Sequence, residues 1–256
     1  MKGQVRMAFR GILLVLILAA TSIVYAQDDV CGIYMGSPYA VALEACSDLE
    51  PNQVCYGNPL VEAELDDPDL TFAAPGDAVD ISAVESLNLS PETLSAASGG
   101  IVHMRLTDEE AETDIYVALY GVVTLTPDED GGYVIETGEP PEGCTPFPSG
   151  VLVYSADDVS IVINGVTLEI GAGVVHLATN EAGELVITVL EGVADVTAGE
   201  ETVTLAVDEF TTVTLDPDGL ADGVPAESTA GDIEALDVPE EILESFAALA
   251  ESETRD

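Results

Sequence analysis

The chain has 256 residues, of which 47% are hydrophobic, and its 49 acidic residues face only five lysines and arginines, for a formal net charge of −44. A surface of this sign repels phosphate backbones and anionic lipid headgroups, which excludes nucleic acid and anionic membrane surfaces as partners. The abundance of Val, Ile and Leu predicts a packed core rather than an acidic disordered chain.

The N-terminus has the pattern of a secretory signal peptide. A basic start precedes the apolar run GILLVLILAA at residues 11–20, and Val24-Tyr25-Ala26 places compact residues before a cleavage site at Ala26–Gln27. The alternative is an uncleaved membrane anchor, but the run is shorter than the ~20 residues that span a bilayer. We expect residues 1–26 to be removed and the mature protein to be secreted or otherwise extracytoplasmic.

Cleavage increases the imbalance of charge. Arg105 and Arg255 would be the only remaining lysines or arginines, and two cations against 49 acids leave −47. Such a charge is typical of a solvated surface that resists aggregation, and a dedicated cation-binding role is the alternative.

Four cysteines follow the predicted cleavage site: Cys31, Cys46, Cys55 and Cys144, with spacings of 15, 9 and 89 residues. An even number of cysteines in an oxidising compartment predicts two disulfides, and three connectivities stay open. A metal site is disfavoured because the spacings contain no C-x-x-C. Because Cys144 lies far down the chain, we expect at least one bridge to tie the N-terminal cap to the main body.

Residues 27–148 are predicted as an N-terminal Cys-containing β region. Segment 27–70 has weak periodicity and is interpreted as a stapled cap, two brief strands are expected around Pro75-Gly76, and Ser90-Pro91 predicts a short helix. Strand signals follow at Ile101–Thr107, Asp114–Leu125 and Tyr133–Thr137, before a proline-rich connector at 139–148.

Residues 149–217 have the clearest β pattern, with short apolar runs every eight to ten residues. Asn164-Gly165 between two such runs is a strong hairpin signal because both turn positions need positive φ. The predicted strands are Val151–Tyr154, Val159–Ile163, Val166–Ile170, Val174–Ala178, Leu185–Leu190, Val193–Thr197, Thr202–Val207 and Phe210–Leu215. A repeat is also indicated, since Ile115–Ile135 and Val186–Leu205 share the order strand, Gly-Val, strand, acidic turn, strand.

The remaining segment, 218–256, changes character. An acidic, Gly- and Ala-rich linker leads to a predicted helix that Asp237 caps, and Ile242, Leu243, Phe246 and Leu249 fall on one face of it. Whether this helix docks on the β body or meets a partner stays open. The predicted fold is therefore mainly β: a short-stranded β-solenoid, roll or barrel-like body with a disulfide-stapled N-terminal cap and a C-terminal amphipathic helix.

The string Ile187–Val196 resembles the FecR-type β domain, whose repeated theme is V-x-V-L-x-G-x-V-x-V. Gly199, Val203–Leu205 and Phe210–Leu215 continue the resemblance in order, whereas Asp208 stands where that family usually has glycine. The resemblance implies a β domain at about residues 149–217. It carries over no catalytic residues, because the glycines of the motif make turns and its valines fill the interior.

Candidate chemistry is sparse. His103 and His176 both lie inside apolar strand signals, where a structural histidine is favoured over a catalytic one. No G-x-S-x-G elbow is present, so we expect no enzyme activity. The alternative is a secreted hydrolase or metal-dependent enzyme that uses His103 or His176.

One loop has the spacing of an extracellular calcium site. Asp216, Asp218 and Asp222 occur in DPDGLADG, and hard cations need several oxygen ligands around a turn that glycine permits. A solvated acidic turn is the favoured interpretation, with calcium as the one candidate cofactor. The sequence thus predicts a non-catalytic secreted or surface-associated module for binding, scaffolding or envelope sensing, with an extracellular protein or glycan as its unidentified partner.

The charge generates a testable prediction. Self-repulsion opposes the compact state, and the screening length falls from ~10 Å at 0.1 M to ~3 Å at 1 M salt. We expect the melting temperature of the mature chain to rise between these two sodium chloride concentrations. If the Asp216–Asp222 loop binds calcium, millimolar calcium chloride will stabilise the chain beyond sodium chloride of matched ionic strength. Equal stabilisation by the two salts would reject the calcium site.

Overall fold

The computed structural model describes residues 42, 44–57, 61–89, 100–108, 113–128, 131–138, 149–231, 236, 238 and 243. The predicted signal peptide, the helix expected after Ser90-Pro91, the 139–148 connector, Cys31 and Cys144 lie outside these residues, as does the predicted C-terminal helix except for Val238 and Leu243. No helix in the described part of the chain is both long and apolar enough to span a membrane.

Fifteen strands make up almost all of the regular structure in the described residues. They are β1 (Gln53–Tyr56), β2 (Glu62–Leu65), β3 (Ala78–Asp80), β4 (Val84–Leu89), β5 (Ile101–Asp108), β6 (Thr113–Tyr120), β7 (Val123–Pro127), β8 (Tyr133–Thr137), β9 (Gly150–Ser155), β10 (Val159–Ile163), β11 (Val166–Thr179), β12 (Glu184–Ala198), β13 (Glu201–Ala206), β14 (Glu209–Thr214) and β15 (Thr229–Ala230). A 3-10 turn at Ile81–Ala83 joins β3 to β4.

The strands form two rows of one open, curled half-barrel sheet. Row A runs β2-β4-β7-β8-β10-β11-β12-β13, and row B runs β3-β1-β5-β6-β9-β11-β12-β14-β15. The described pairs are antiparallel except β8 with β10, which is parallel. The predicted mainly β body is confirmed.

Strands β11 and β12 belong to both rows because each bends in its middle. Their pairing shifts register between Gly171 and Val175, and Gly192 has φ +83°. A Cβ atom on Gly192 would lie 2.5 Å from the carbonyl oxygen of Ala172, and one on Gly173 would lie 2.1 Å from that of Glu191. The glycines therefore allow a β-bulge at which two backbones nearly touch.

This bend corrects part of the sequence prediction. The four short strands expected at 166–170, 174–178, 185–190 and 193–197 are two long ones, because the intervening glycines bend the strands without ending them. Conversely, the single run expected at 114–125 is divided at Gly121, whose φ is +80°.

The N-terminal region contributes more strand than predicted. Of the two strands expected around Pro75-Gly76 only β3 forms, while β1, β2 and β4 join the sheet. The register between β2 and β4 skips Glu85, so the alternation that would have revealed β4 is broken. The cap also contains helical residues at Ala42, Glu44 and Ala45, which its weak periodicity did not indicate.

One hydrophobic core serves both rows. Alternate residues of β1 to β14 point into it, so that successive strands of row A and row B contribute to a single buried cluster. Its fully buried members include Leu87, Leu125 and Leu168 from row A and Leu119, Val153 and Ile187 from row B. The two rows are thus held together as the two walls of one core.

The pairing pattern of the N-terminal strands recurs in the C-terminal ones. The equivalent elements are β1 and β9, β2 and β10, β4 and β5 with the two halves of β11, β6 and β7 with the two halves of β12, and β8 and β13. Strand β3 is an insertion that pairs with β1. The repeat predicted from Ile115–Ile135 and Val186–Leu205 is therefore seen in the fold, with Gly121 and Gly192 at equivalent bends.

Asn164 lies where the two repeats meet in row A. It begins the predicted Asn-Gly hairpin turn, and the φ angles of +52° and +71° at Asn164 and Gly165 confirm that turn. The side chain is completely buried. Its amide donates to the carbonyl oxygens of Ile135 and Gly219 at 3.0 and 2.6 Å and accepts from the Ile135 amide at 3.2 Å.

The bend at Gly192 leads to a prediction for its replacement by valine. Gly183 is a matched control, because it has a similar φ of +75° but no neighbouring atom would lie within 4 Å of a Cβ atom there. Both Gly→Val changes incur the cost of positive φ, on the order of 1–3 kcal/mol, but only Gly192→Val adds a collision with backbone. Urea denaturation should show a clearly larger loss of unfolding free energy for Gly192→Val. Equal losses would contradict the close approach.

Candidate functional site

The outer face of row B, which points away from the shared core, is apolar and covered. Ile101, Ala118, Tyr120, Leu152, Tyr154 and Val174 form a second buried cluster on this face together with Ala42 of the cap. Two residues near the C-terminus, Val238 and Leu243, pack against the same cluster. Sheet faces in water need such cover when their residues are apolar, so the cap and the tail residues complete this side of the fold.

Both histidines lie on this face in one line across the sheet. Successive register partners are Cys55, His103, Ala118, Leu152, His176, Thr188 and Phe210. His103 and His176 are separated by three strand steps, or about 14 Å at the usual strand spacing. The structure therefore does not bring them together in one catalytic or metal-binding group.

The environment keeps both imidazoles neutral at pH 7. His103 is 9% exposed and His176 is 4% exposed. Burial lowers the pKa of each from 6.5 to about 4, because removal from water penalises the charged form. The buried Nε2 atom of His103 has no hydrogen-bond partner. The histidines thus behave as packed core groups.

His176 is closely packed by its neighbours. Its ring centroid lies 6.3 Å from that of Tyr120, with the planes tilted by 42°. A Cβ atom on Gly150 would lie 2.4 Å from the His176 Nε2 atom, so glycine at that position provides the space for the imidazole. The register neighbours of His176 are Leu152 and Thr188, and neither is an acid that would orient it as a general base.

Arg105 joins the cap to the outer face of row B. It pairs with Asp114, and its Nη1 atom donates to the carbonyl oxygen of Leu49 at 2.9 Å. The guanidinium lies 5.7 Å from the ring centroid of Tyr116, which is itself 6.1 Å from the ring of Tyr154. The arginine is therefore fully engaged in structural contacts.

One of the predicted disulfides is present, and both of its cysteines lie in the segment 27–70 that was interpreted as the cap. Cys46 and Cys55 form a disulfide with a Cα–Cα distance of 5.9 Å, and Cys55 is the first residue of the line that contains both histidines. The bridge fixes the helical residues around Ala42 over the outer face of row B. The pairing of Cys31 and Cys144 stays a prediction.

The candidate calcium loop has its first carboxylate engaged in the turn. Asp216 Oδ1 accepts hydrogen bonds from the amides of Asp218 and Leu220, both at 2.9 Å, and Gly219 has φ +80°. Within the described ranges no three or more His, Cys, Asp or Glu side chains are placed to hold a metal ion. The structure therefore does not gather Asp216, Asp218 and Asp222 as ligands.

The outer face of row A carries a feature that sequence reasoning missed. A shallow groove of about 620 Å³ is lined by Asp108, Asp158, Val159, Ser160, Glu169, Ile170, Gly171, Val193, Asp195 and Thr204. Ser160, Glu169, Asp195 and Thr204 are successive register partners across four strands. Only the register places these polar residues together, and no linear motif indicates it.

Two acids of the groove are held by hydrogen bonds. Asp108 Oδ2 accepts from the amide of Ser160 at 3.0 Å, and Asp195 Oδ1 accepts from the hydroxyl of Thr204 at 2.5 Å. The carboxylate of Glu169, by contrast, is exposed. The groove thus combines fixed carboxylates with the exposed apolar side chain of Val193. Its carboxylates suit a cationic or polar partner.

Comparison with known proteins gives limited information. No protein-family model matches the sequence, and no curated protein matches it. Two crystal structures of a protein described as a putative anti-sigma factor from Parabacteroides distasonis ATCC 8503 match over 52% of this chain and 59% of that chain, at 12% identity and TM-scores of 0.33 and 0.30. The match therefore spans about three fifths of the length of that protein, and similarity at this level carries no conclusion about function.

The buried histidines generate a prediction about acid stability. Each has a folded pKa of about 4 against 6.5 when unfolded, so the unfolded chain binds more protons below pH 6.5 and stability falls as the pH decreases toward 4. We compare the unfolding free energies of the wild type and of the His103→Gln/His176→Gln variant by urea denaturation. Between pH 7 and pH 5 the wild type should lose more unfolding free energy than the variant, by about 2 kcal/mol for each histidine. Equal pH dependence of the two proteins would show that the imidazoles are not buried.

Proposed function

We propose that this chain is a secreted or extracytoplasmic, non-catalytic β module that binds or scaffolds an extracellular protein or glycan, with a FecR-type β domain at about residues 149–217. The observation that carries the proposal is the acidic groove on the outer face of row A. It is built on the register of β10, β11, β12 and β13, so the backbone positions of its polar residues are set before a partner arrives.

The resemblance to the FecR-type domain is supported by the geometry of the glycine positions. The motif glycine, Gly192, makes the bend of β12, and Gly199 begins the turn to β13 with φ +61°. Asp208, which stands where that family usually has glycine, has φ +67° and so adopts the conformation that the family pattern requires. The valines between these turns, such as Val189 and Val196, are buried.

The absence of catalysis is supported by the surroundings of His103 and His176. Both are desolvated and lie about 14 Å apart by strand spacing, and their register neighbours on the sheet are Cys55, Ala118, Leu152 and Thr188. A general base needs a partner to orient it and access to a substrate. Neither requirement is met by these neighbours.

The experiment compares capture by the wild type and by groove variants. Immobilised mature protein is exposed to the envelope fraction and the culture medium of the producing organism, and separately to a glycan array. We expect a retained component that is lost when Glu169→Lys and Asp195→Lys are introduced together. The matched control is Glu62→Lys with Glu64→Lys on β2, which changes the charge equally at the far end of row A. Retention by all three proteins, or by none, would contradict binding at the groove.

A second measurement tests the non-catalytic part of the proposal. The mature chain is assayed against esterase, peptidase, glycosidase and phosphatase substrates, with and without added divalent metal ions. No turnover is expected. Turnover that disappears in His103→Gln or His176→Gln, with folding intact by circular dichroism, would favour the hydrolase alternative.

A further inference from the structure

The outer face of row B receives residues from the far C-terminal end of the chain. Val238 and Leu243 pack against the cluster of Ile101, Tyr120 and Leu152, and Leu243 is helical. Both are partly buried. These contacts are independent of the groove on row A.

The path of the chain leads onto this face. The last strand, β15, pairs with Phe210 on β14, and the amide of Gly231 donates to the carbonyl oxygen of Asp208 at 2.7 Å. A Cβ atom on Gly231 would lie 3.1 Å from the ring of Phe210. Phe210 belongs to the line that contains both histidines, and its partner Thr229 lies on the last strand of row B. The chain therefore leaves the sheet at the edge of the outer face.

The linker is long enough to cross the face. Seven residues from Gly231 to Val238 reach up to about 23 Å, whereas β14 and β9 are separated by three strand steps, or about 14 Å. A segment that starts beside Phe210 can therefore bring Leu243 over Leu152 and Tyr154 without disturbing the sheet.

We propose that the outer face of row B is a helix-binding surface and that its occupant is this chain's own segment 237–249. The sequence of that segment predicts a helix that Asp237 caps, with an apolar stripe of Ile242, Leu243, Phe246 and Leu249. Ala42 of the cap belongs to the apolar cluster that contains Tyr120 and Tyr154, and Val238 and Leu243 pack against that cluster.

The charge of the molecule determines what drives this docking. Segment 237–256 and the body are both acidic, so electrostatics opposes the contact and burial of apolar surface must favour it. Raising the salt concentration will therefore strengthen the docking, the reverse of an interaction that depends on ion pairs.

The first test maps the occupant directly in the full mature chain. p-Benzoyl-L-phenylalanine replaces Leu243, and the protein is irradiated and digested for mass spectrometry. We expect intramolecular adducts to residues of β5, β6, β9 or β11. Adducts between two chains would overturn the proposal and assign the surface to a second copy. The absence of adducts to these four strands would also overturn it.

The second test uses a pair of substitutions that add the same charge. Leu243→Asp places a carboxylate in the apolar stripe, whereas Ala248→Asp places one on the opposite side of the helix. Loss of the leucine contact should raise the rate of Glu-C cleavage within residues 240–251 by about tenfold or more. It should also increase binding of an apolar fluorescent dye and move the pKa of His176 upward from about 4 in an NMR titration. Ala248→Asp should leave all three unchanged. Identical behaviour of the two variants would refute the docking.

Discussion

The side-chain amide of Asn164 completes the sheet at the one described junction where strands run in parallel. Strands β8 and β10 pair through Ile163 and Tyr133 alone, and two strands that share so little backbone pairing would separate easily. Asn164 extends the junction because its amide mimics a peptide group, with one acceptor and one donor facing Ile135. Its backbone amide donates to Tyr133, and its carbonyl oxygen accepts from Ala221. Every polar group of this buried residue therefore has a partner.

This junction makes row A continuous. Row B joins the same two repeats through β6 and β9. With both rows continuous, the repeats contribute to one core instead of two small ones, and a larger core buries a greater fraction of its apolar surface. The loop that begins at Asp216 is held against the turn by Gly219 and Ala221, which closes one end of the core. The antiparallel pairing of β10 to β13 with one another aligns the polar residues of the acidic groove. On the other side, the register of row B aligns the two histidines and the tyrosines beneath the cap.

Local sequence patterns predicted some of these features and could not predict others. Tyr133–Thr137 and Val159–Ile163 were recognised to the residue, because alternation and bounding turn residues act over a few positions. The bends at Gly173 and Gly192 were mistaken for strand ends, since a glycine looks the same in a turn and in a bulge. The groove and the line of histidines depend on register between strands far apart in sequence, and no local pattern encodes it. Asn164 was recognised as a turn residue, but its burial arises from contacts 29 and 55 residues away.

Two surfaces of opposite character follow from this construction. The outer face of row A is polar and open, and we assign the binding role to it. The outer face of row B is apolar, and Ala42 near one end of the described residues and Val238 and Leu243 near the other end pack on it. The first face favours solubility, whereas the second would promote aggregation if it were bare.

The role of the Asn164 side chain in holding β8 to β10 is tested most directly by comparing the stabilities of Asn164→Gly and Asn52→Gly. Both asparagines have positive φ, so glycine preserves the backbone at each site, but only Asn164 is buried. Removal of its amide should lower the unfolding free energy by about 3 kcal/mol or more, because Ile135 is left with unpaired groups inside the core. Hydrogen exchange at the Ile135 amide should accelerate correspondingly, whereas Asn52→Gly should cost less than about 1 kcal/mol. If Asn164→Gly keeps the wild-type unfolding free energy and the wild-type hydrogen-exchange protection of the Ile135 amide, the side chain of Asn164 does not hold the junction together.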